Sequence, residues 1–310
     1  MDIKIKNILW STDFSDYSNH AASYGIALAK EFSAKLYACH IIDLSSATMY
    51  EGFPDPLEQQ NRIFNYASGY LDRLIGEQPF EWEPVVEIGR TADQIARIAE
   101  EKRVDLAILA THGRSGLKRF VLGSVTELLM RTLRCPLLIV RSPEHDFVSP
   151  AKGEIRLQKI LVGCDFSPDS SLAFQYGLYL AQNFQTELHL AHVLLPPVFQ
   201  EYARQRVESV ESIQPEVREQ LHEKLMNMVT EEARVWCTPK VVLLAGGPPY
   251  EELTKYAADN NIDLIVLGVR GHSLFETLLM GSTTARVIRQ APCPVLSVCP
   301  VITEKKKSAS

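Results

Sequence analysis

The chain has 310 residues, 46% hydrophobic and 23% charged, with a net charge of −6. That is ordinary globular composition, and the acidic balance excludes a general nucleic-acid binder, which needs a basic face or stripe. No stretch approaches the roughly 18 apolar residues of a membrane span, and the opening MDIKIKNILW lacks the apolar run of a signal peptide, so the expected location is the cytoplasm with no membrane partner.

In chain order, IKNILWS predicts a short first strand. SNHAASYGIALAKEF follows with Ala22, Ile26 and Ala29 at helical spacing. AKLYACHII is a second strand, Leu57 to Ile75 a helix, WEPVVEI a third strand and Ala92 to Lys102 a helix. DLAILA, a solid apolar run, predicts a buried central strand; Ser124 to Leu133 is a helix and PLLIVR the last strand of this half. The same order then repeats, and Ser167-Pro168 marks a helix start, with serine as N-cap and proline at the first helical position. Strands alternating with helices predict a parallel sheet covered on both faces. The expected fold is therefore α/β: two tandem doubly wound, five-stranded domains of Rossmann-like type.

The repetition is a whole domain long. ILWSTDFS returns as ILVGCDFS and LYACHIID as LHLAHVLL at an offset of 152 (13 to 165, 40 to 192). RCPLLIV returns as PCPVLSV at an offset of 158 (135 to 293), as do the glycines at 113 and 271 and at 123 and 281. The net gain of six residues is expected in LLPPVFQEYARQRVESVESI. We read domain 1 as 1–143, a polar Pro- and Gly-containing linker as 144–156, domain 2 as 157–301, and 302–310, with Lys305, Lys306 and Lys307, as a flexible tail. The six cysteines form no CxxC pair, which leaves zinc-ribbon and thioredoxin readings unsupported; most stand in strand-like apolar runs as free buried thiols, consistent with a reducing compartment.

In a doubly wound sheet, ligands bind beyond the carboxyl ends of the strands where the strand order reverses. Two segments of each half place polar chemistry there. Thr12-Asp13-Phe14-Ser15 ends the first strand, mirrored by Cys164-Asp165-Phe166-Ser167; ATHGRSGLKRFVLGS ends the fourth, mirrored by GVRGHSLFETLLMGS. Glycines admit phosphate oxygens to backbone amides, a helix start offers further amides, and Arg114, Lys118 and Arg119 add positive charge. The loop lacks the GK[ST] ending of a Walker loop. Ordinary turn and cap chemistry would also put glycine and serine at these places, and a turn-forming role for Asp13 and Asp165 can coexist with ligand binding. His40 and His192, without metal-spaced partners, are expected to be packed, hydrogen-bonded histidines.

At these residues the chain resembles the universal stress protein family in its tandem form. The family's ATP-binding members carry Gly-x2-Gly-x9-Gly-Ser/Thr. The second half matches in full at Gly268, Gly271, Gly281 and Ser282; the first departs only in having Ala110 where the first glycine would stand. The resemblance covers about residues 3–141 and 157–300. It implies adenine contacts from Asp13 and Asp165 and from the backbone of Ile41 and Val193, and ribose near Ala110 and Gly268. Phosphates would be cradled by Gly113, Arg114, Gly123, Ser124 and Val125 in the first half and by Arg270, Gly271, Gly281, Ser282 and Thr283 in the second. It also implies ATP as the ligand, with magnesium carried by the phosphates, and an intrachain pseudo-dimer through antiparallel pairing of the two last strands. Both sites are expected to bind, the second being the more secure by motif because its glycine pattern is complete.

No Ser–His–acid order and no metal-ligand spacing stands out, so no catalytic or metal residues are assigned. The leading reading is an ATP-binding regulatory protein of the stress response with an unknown protein partner. The alternatives are a slow ATPase or autophosphorylating enzyme, a nucleotide-free scaffold and, more weakly, a flavoprotein-like electron carrier; a homodimer of the whole chain also stays open.

Overall fold

The computed structural model describes residues 3–43, 56–111, 123–141, 145–149, 153–194, 210, 214–237, 239–269 and 281–299. In the first half, β1 (Asn7–Ser11), α1 (Asp16–Phe32), β2 (Lys35–Ile42), α2 (Pro56–Ile75), β3 (Trp82–Ile88), α3 (Thr91–Glu101), β4 (Leu106–Ala110), α4 (Ser124–Thr132) and β5 (Leu137–Val140) follow in strict alternation. The second half gives β6 (Lys159–Gly163), α5 (Pro168–Phe184), β7 (Glu187–Leu194), α6 (Pro215–Met226), α7 (Glu231–Arg234), β8 (Lys240–Ala245), α8 (Pro249–Asp259), β9 (Leu264–Gly268), α9 (Ser282–Gln290) and β10 (Val295–Val298). The six-residue excess, apart from Leu194 and Val210, and the C-terminal tail lie outside the described residues.

Each half is a doubly wound parallel sheet, and the two halves join into one sheet of ten strands in the order β3-β2-β1-β4-β5-β10-β9-β6-β7-β8. Parallel pairing within each half gives way to one antiparallel seam, β5 against β10, with Leu137 opposite Ser297 and Ile139 opposite Val295. That pairing covers both inner edges, which would otherwise offer open ladders. The solid apolar runs behave as expected: LAILA of β4 is buried at every position, as are the first four residues of β9. β3 lies at an outer edge, where its exposed Pro84 withdraws no ladder donor the sheet needs. The two apolar faces form separate cores beneath the two helical layers.

The stretch read as a linker is docked between the halves. Phe147 and Val148 are 2% and 0% exposed. Tyr24 of α1 donates its hydroxyl to Asp146 Oδ1 at 2.7 Å, and His20 Nε2 lies 3.0 Å from Asp146 Oδ2. On the other side His145 Nε2 lies 2.7 Å from Asp263 Oδ1, and Val148 forms an isolated antiparallel bridge with Ile155. The sequence hid this because two apolar residues in a polar stretch carry no periodicity.

Candidate nucleotide cleft

The strand order of the first half reverses between β1 and β4. Beyond the end of β1 the backbone turns sharply into α1. Phe14 adopts φ 64, in the left-handed region that non-glycine residues seldom occupy. Side chains hold the turn: the Phe14 amide donates to Thr12 Oγ1 at 2.9 Å, and Asp13 Oδ1 accepts from the Ser15 amide at 3.0 Å, the Ser15 hydroxyl at 2.6 Å and the Ser18 hydroxyl at 2.7 Å. Ser15 in turn caps α1 by accepting from the Ser18 amide. Asp13 is thus the hub of the turn. His40 stacks on Phe14 with ring centres 4.0 Å apart, and its Nδ1 lies 2.8 Å from the carbonyl oxygen of Thr12. A carbonyl only accepts, so Nδ1 carries the proton.

Beyond β4 the chain returns at Gly123, whose amide donates to the Thr111 carbonyl at 3.0 Å. Thr126 ties the start of α4 to β4 by donating to the Ala110 carbonyl at 3.2 Å. Gly123 is the N-cap, with no side-chain cap bond, and Ser124 opens the helix. The first helical amides have no acceptor within their own helix and face the same end of the sheet.

These two ends enclose a cavity of about 270 Å³. Asp13, Ile41, Ala110, Gly123, Ser124 and Val125, all expected at the site, line it together. Gly113 and Arg114, with the rest of the basic loop, lie outside the described residues, as do Arg270 and Gly271 of the second half. Sequence reading had Thr12 and Thr111 only as members of the two strand-end segments and missed Ser11, Ser18, Thr91 and Thr126; all six also line the cavity and make its wall rich in hydroxyls. The signal was present in the repeat itself: at the 152 and 158 offsets, Ser11, Thr12, Thr91 and Thr111 become Gly163, Cys164, Pro249 and Val269.

The second half repeats the turn but fills the space differently. Phe166 adopts φ 62, Asp165 Oδ1 accepts from the Ser167 amide at 3.0 Å, and Ser167 caps α5 with Pro168 following, as expected. His192 donates from Nδ1 to the Cys164 carbonyl at 2.8 Å, and burial pushes its pKa down, so it is held neutral. Lys224 of α6 lies with Nζ 3.9 Å from the centre of the Phe166 ring, a place Tyr70 takes beside Phe14 in the first half. Gly281 and Ser282 open α9 as Gly123 and Ser124 open α4, and Thr284 donates to the Gly268 carbonyl at 2.8 Å. Thr283 follows in the first turn of α9, and Val193 is buried near the end of β7.

Two glycines mark the difference. A Cβ at Gly268 would lie 2.7 Å from the carbonyl carbon of Asp169, so α5 sits directly against the end of β9. A Cβ at Gly163 would lie 2.5 Å from Leu267 Cδ2, where the first half has room for Ser11. The complete glycine pattern that made the second half look the more secure thus has a packing cause at its first position.

Among the described residues no group of three His, Cys, Asp or Glu is gathered as a metal site would require, and no helix is long and apolar enough to cross a membrane.

Fold and cleft together define a tandem doubly wound α/β protein with a cavity at the strand-order switch of its first half. The model of the universal stress protein family matches residues 4–141 and again 156–298, and the chain belongs to that family. A universal stress protein of Methanocaldococcus jannaschii is 32% identical over 147 residues, which cover 46% of this chain and 85% of that one. A putative universal stress protein of Staphylococcus haemolyticus is 31% identical over 142 residues, 45% of this chain and 86% of its own. Among solved structures, a universal stress protein from Archaeoglobus fulgidus shares the fold across 96% of this chain and 98% of its own, with a TM-score of 0.68 at 19% identity.

Proposed function

We propose that the first-half cleft binds an adenine nucleotide, ATP with magnesium carried by its phosphates, and that nucleotide occupancy biases the conformation or partner surface of a stress-response regulator. The observation that carries this reading is the 270 Å³ cavity, in which six residues assigned from the family motif meet a wall of hydroxyl groups. The amides of Gly123, Ser124 and Val125 and the Ser124 hydroxyl suit phosphate oxygens. The hydroxyls of Ser11 and Thr91 suit donors and acceptors of a sugar or of bridging water. Asp13 is the acceptor nearest the base end, and the surrounding turn keeps its carboxylate in place.

Within this reading the second half, with Gly163, Cys164, Pro249 and Val269 at the corresponding positions, is the weaker nucleotide site. Calorimetry of the full chain with magnesium-ATP tests it. The expected result is one equivalent bound, with Ser124→Ala or Asp13→Ala weakening affinity about tenfold, the equivalent of ~1.4 kcal/mol. Gly281→Ala with Ser282→Ala should leave stoichiometry unchanged. Absence of both heat and thermal shift would overturn nucleotide binding; loss of stoichiometry in the Gly281, Ser282 variant would return the second half to the account.

A further inference from the structure

We propose that Cys135 and Cys299 form a reversible disulfide that ties the two halves across the antiparallel seam when the protein meets a hydroperoxide. The seam register carries the assignment. Ile139, Leu138 and Leu137 stand opposite Val295, Leu296 and Ser297, and the same register carried two steps past the paired residues sets Cys135, in the bend before β5, against Cys299, just beyond β10. Residues directly opposite in an antiparallel pair have Cα atoms about 4.5 or 5.5 Å apart, inside the range of about 4.4–6.8 Å that a disulfide spans. The side-chain geometry agrees: Cys299 Sγ is turned across the seam, 3.2 Å from the Leu133 carbonyl oxygen and 3.8 Å from that of Cys135 itself.

The pseudo-two-fold relation sharpens the point. Arg141 occupies the position in the first half that Cys299 occupies in the second, and it makes the mirrored crossing. Its guanidinium donates to the Arg289 and Ala291 carbonyls, both at 2.8 Å. One end of the seam is therefore stapled by a permanent ionic donor. The other carries a thiol that reaches the backbone carbonyl of a second cysteine. Cys293, the repeat counterpart of Cys135, has Arg141 in the opposing register position and no such partner there.

Access is graded to suit the chemistry. Cys299 is partly exposed and meets the oxidant first, whereas Cys135 is 8% exposed. The Cys299 sulfur attacks the terminal peroxide oxygen; the O–O bond breaks and the alkoxide leaves, taking the thiol proton as an alcohol. Cys299 is then a sulfenic acid. The Cys135 sulfur attacks the Cys299 sulfur, the S–O bond breaks, and hydroxide leaves as water with the Cys135 proton. Two thiols and one hydroperoxide give one disulfide, one alcohol and one water, a two-electron oxidation. Two equivalents of a small thiol reverse it by exchange, themselves becoming a disulfide. Burial pushes the Cys135 thiol up to about 12, so it serves as the resolving group rather than the first to react.

The test is a linkage map of the full chain. After brief hydrogen peroxide treatment, alkylation with N-ethylmaleimide and tryptic digestion without reductant, peptide 135–141 should be joined to peptide 290–305 with the loss of two hydrogen masses. Fragmentation should place the bond at Cys299. Dithiothreitol should restore both alkylatable thiols, Cys299→Ser should abolish the link and Cys293→Ser should keep it. The proposal is overturned if the wild-type map shows Cys135 and Cys299 separately alkylated, Cys299 driven alone to sulfinate, or Cys299 joined to Cys293 or to a second chain. The wild-type map decides even if a serine variant does not fold.

Discussion

A single methyl group separates the two halves at the first position of the glycine pattern. Gly268 faces the Asp169 backbone at a distance no real Cβ would hold, while Ala110 lies on the wall of an open cavity. The two positions should therefore respond unequally to exchange. Gly268→Ala must displace the start of α5 or the end of β9, and overpacking of this kind costs about 1–3 kcal/mol. Ala110→Gly leaves the backbone in place; it adds freedom to the unfolded chain, at about 0.5–1 kcal/mol, and takes one methyl from the cavity wall. Urea midpoints of the two variants should rank in that order. Equal losses would mean that the contact at Gly268 relaxes without strain and that its glycine has some other cause.

At the scale of elements, the turn between β1 and α1 joins structure to site. Ser15 and Ser167 are both N-caps, and loss of a serine cap costs about 1 kcal/mol. Only Ser15, however, also donates its hydroxyl to the neighbouring aspartate, at 2.6 Å. Ser15→Ala should accordingly lower the urea midpoint more than Ser167→Ala and weaken ATP binding as well. A stability loss no greater than that of Ser167→Ala, with affinity unchanged, would show that Asp13 is held by its other donors. Much of this scale is legible in sequence. Solid apolar runs marked β4 and β9, period-3.6 spacing marked α1, and Ser167-Pro168 marked the start of α5. The left-handed backbone of Phe14 and Phe166 was not legible, because a phenylalanine gives no hint of positive φ; the Thr12, Asp13 and Ser15 bonds hold it around Phe14, and the Asp165–Ser167 bond holds it around Phe166. The hydroxyl wall of the cleft was missed for a different reason. Its members come from five separate strand ends and helix starts, and each serine or threonine alone reads as an ordinary turn residue.

The whole molecule is one sheet with an apolar core on each face, both cores drawing on the two halves, so its cooperativity depends on what joins the halves in the middle. The seam itself is short, four residues on each strand, and other contacts reinforce it, among them Phe32 of α1 against Tyr179 and Phe184 of α5. Arg141 reaches over to the Arg289 and Ala291 carbonyls. Phe147, 2% exposed, packs edge-on against Tyr24 at 4.9 Å while its neighbours bind α1 on one side and Asp263 on the other. Truncating a buried phenylalanine to alanine costs about 3–5 kcal/mol, from lost transfer energy and the cavity left behind. Phe147 belongs to the apolar core that runs under both halves on one face of the sheet, so the loss falls on the joint and on that shared core together. The unaltered chain should therefore unfold in one calorimetric transition, with matching van't Hoff and calorimetric enthalpies. Phe147→Ala combined with Arg141→Ala should separate it into two, because each half retains its own strands and helices but the coupling between them is cut. Should the double variant melt earlier yet still in a single two-state step, the β5–β10 pairing alone would be enough to make the halves fold as one.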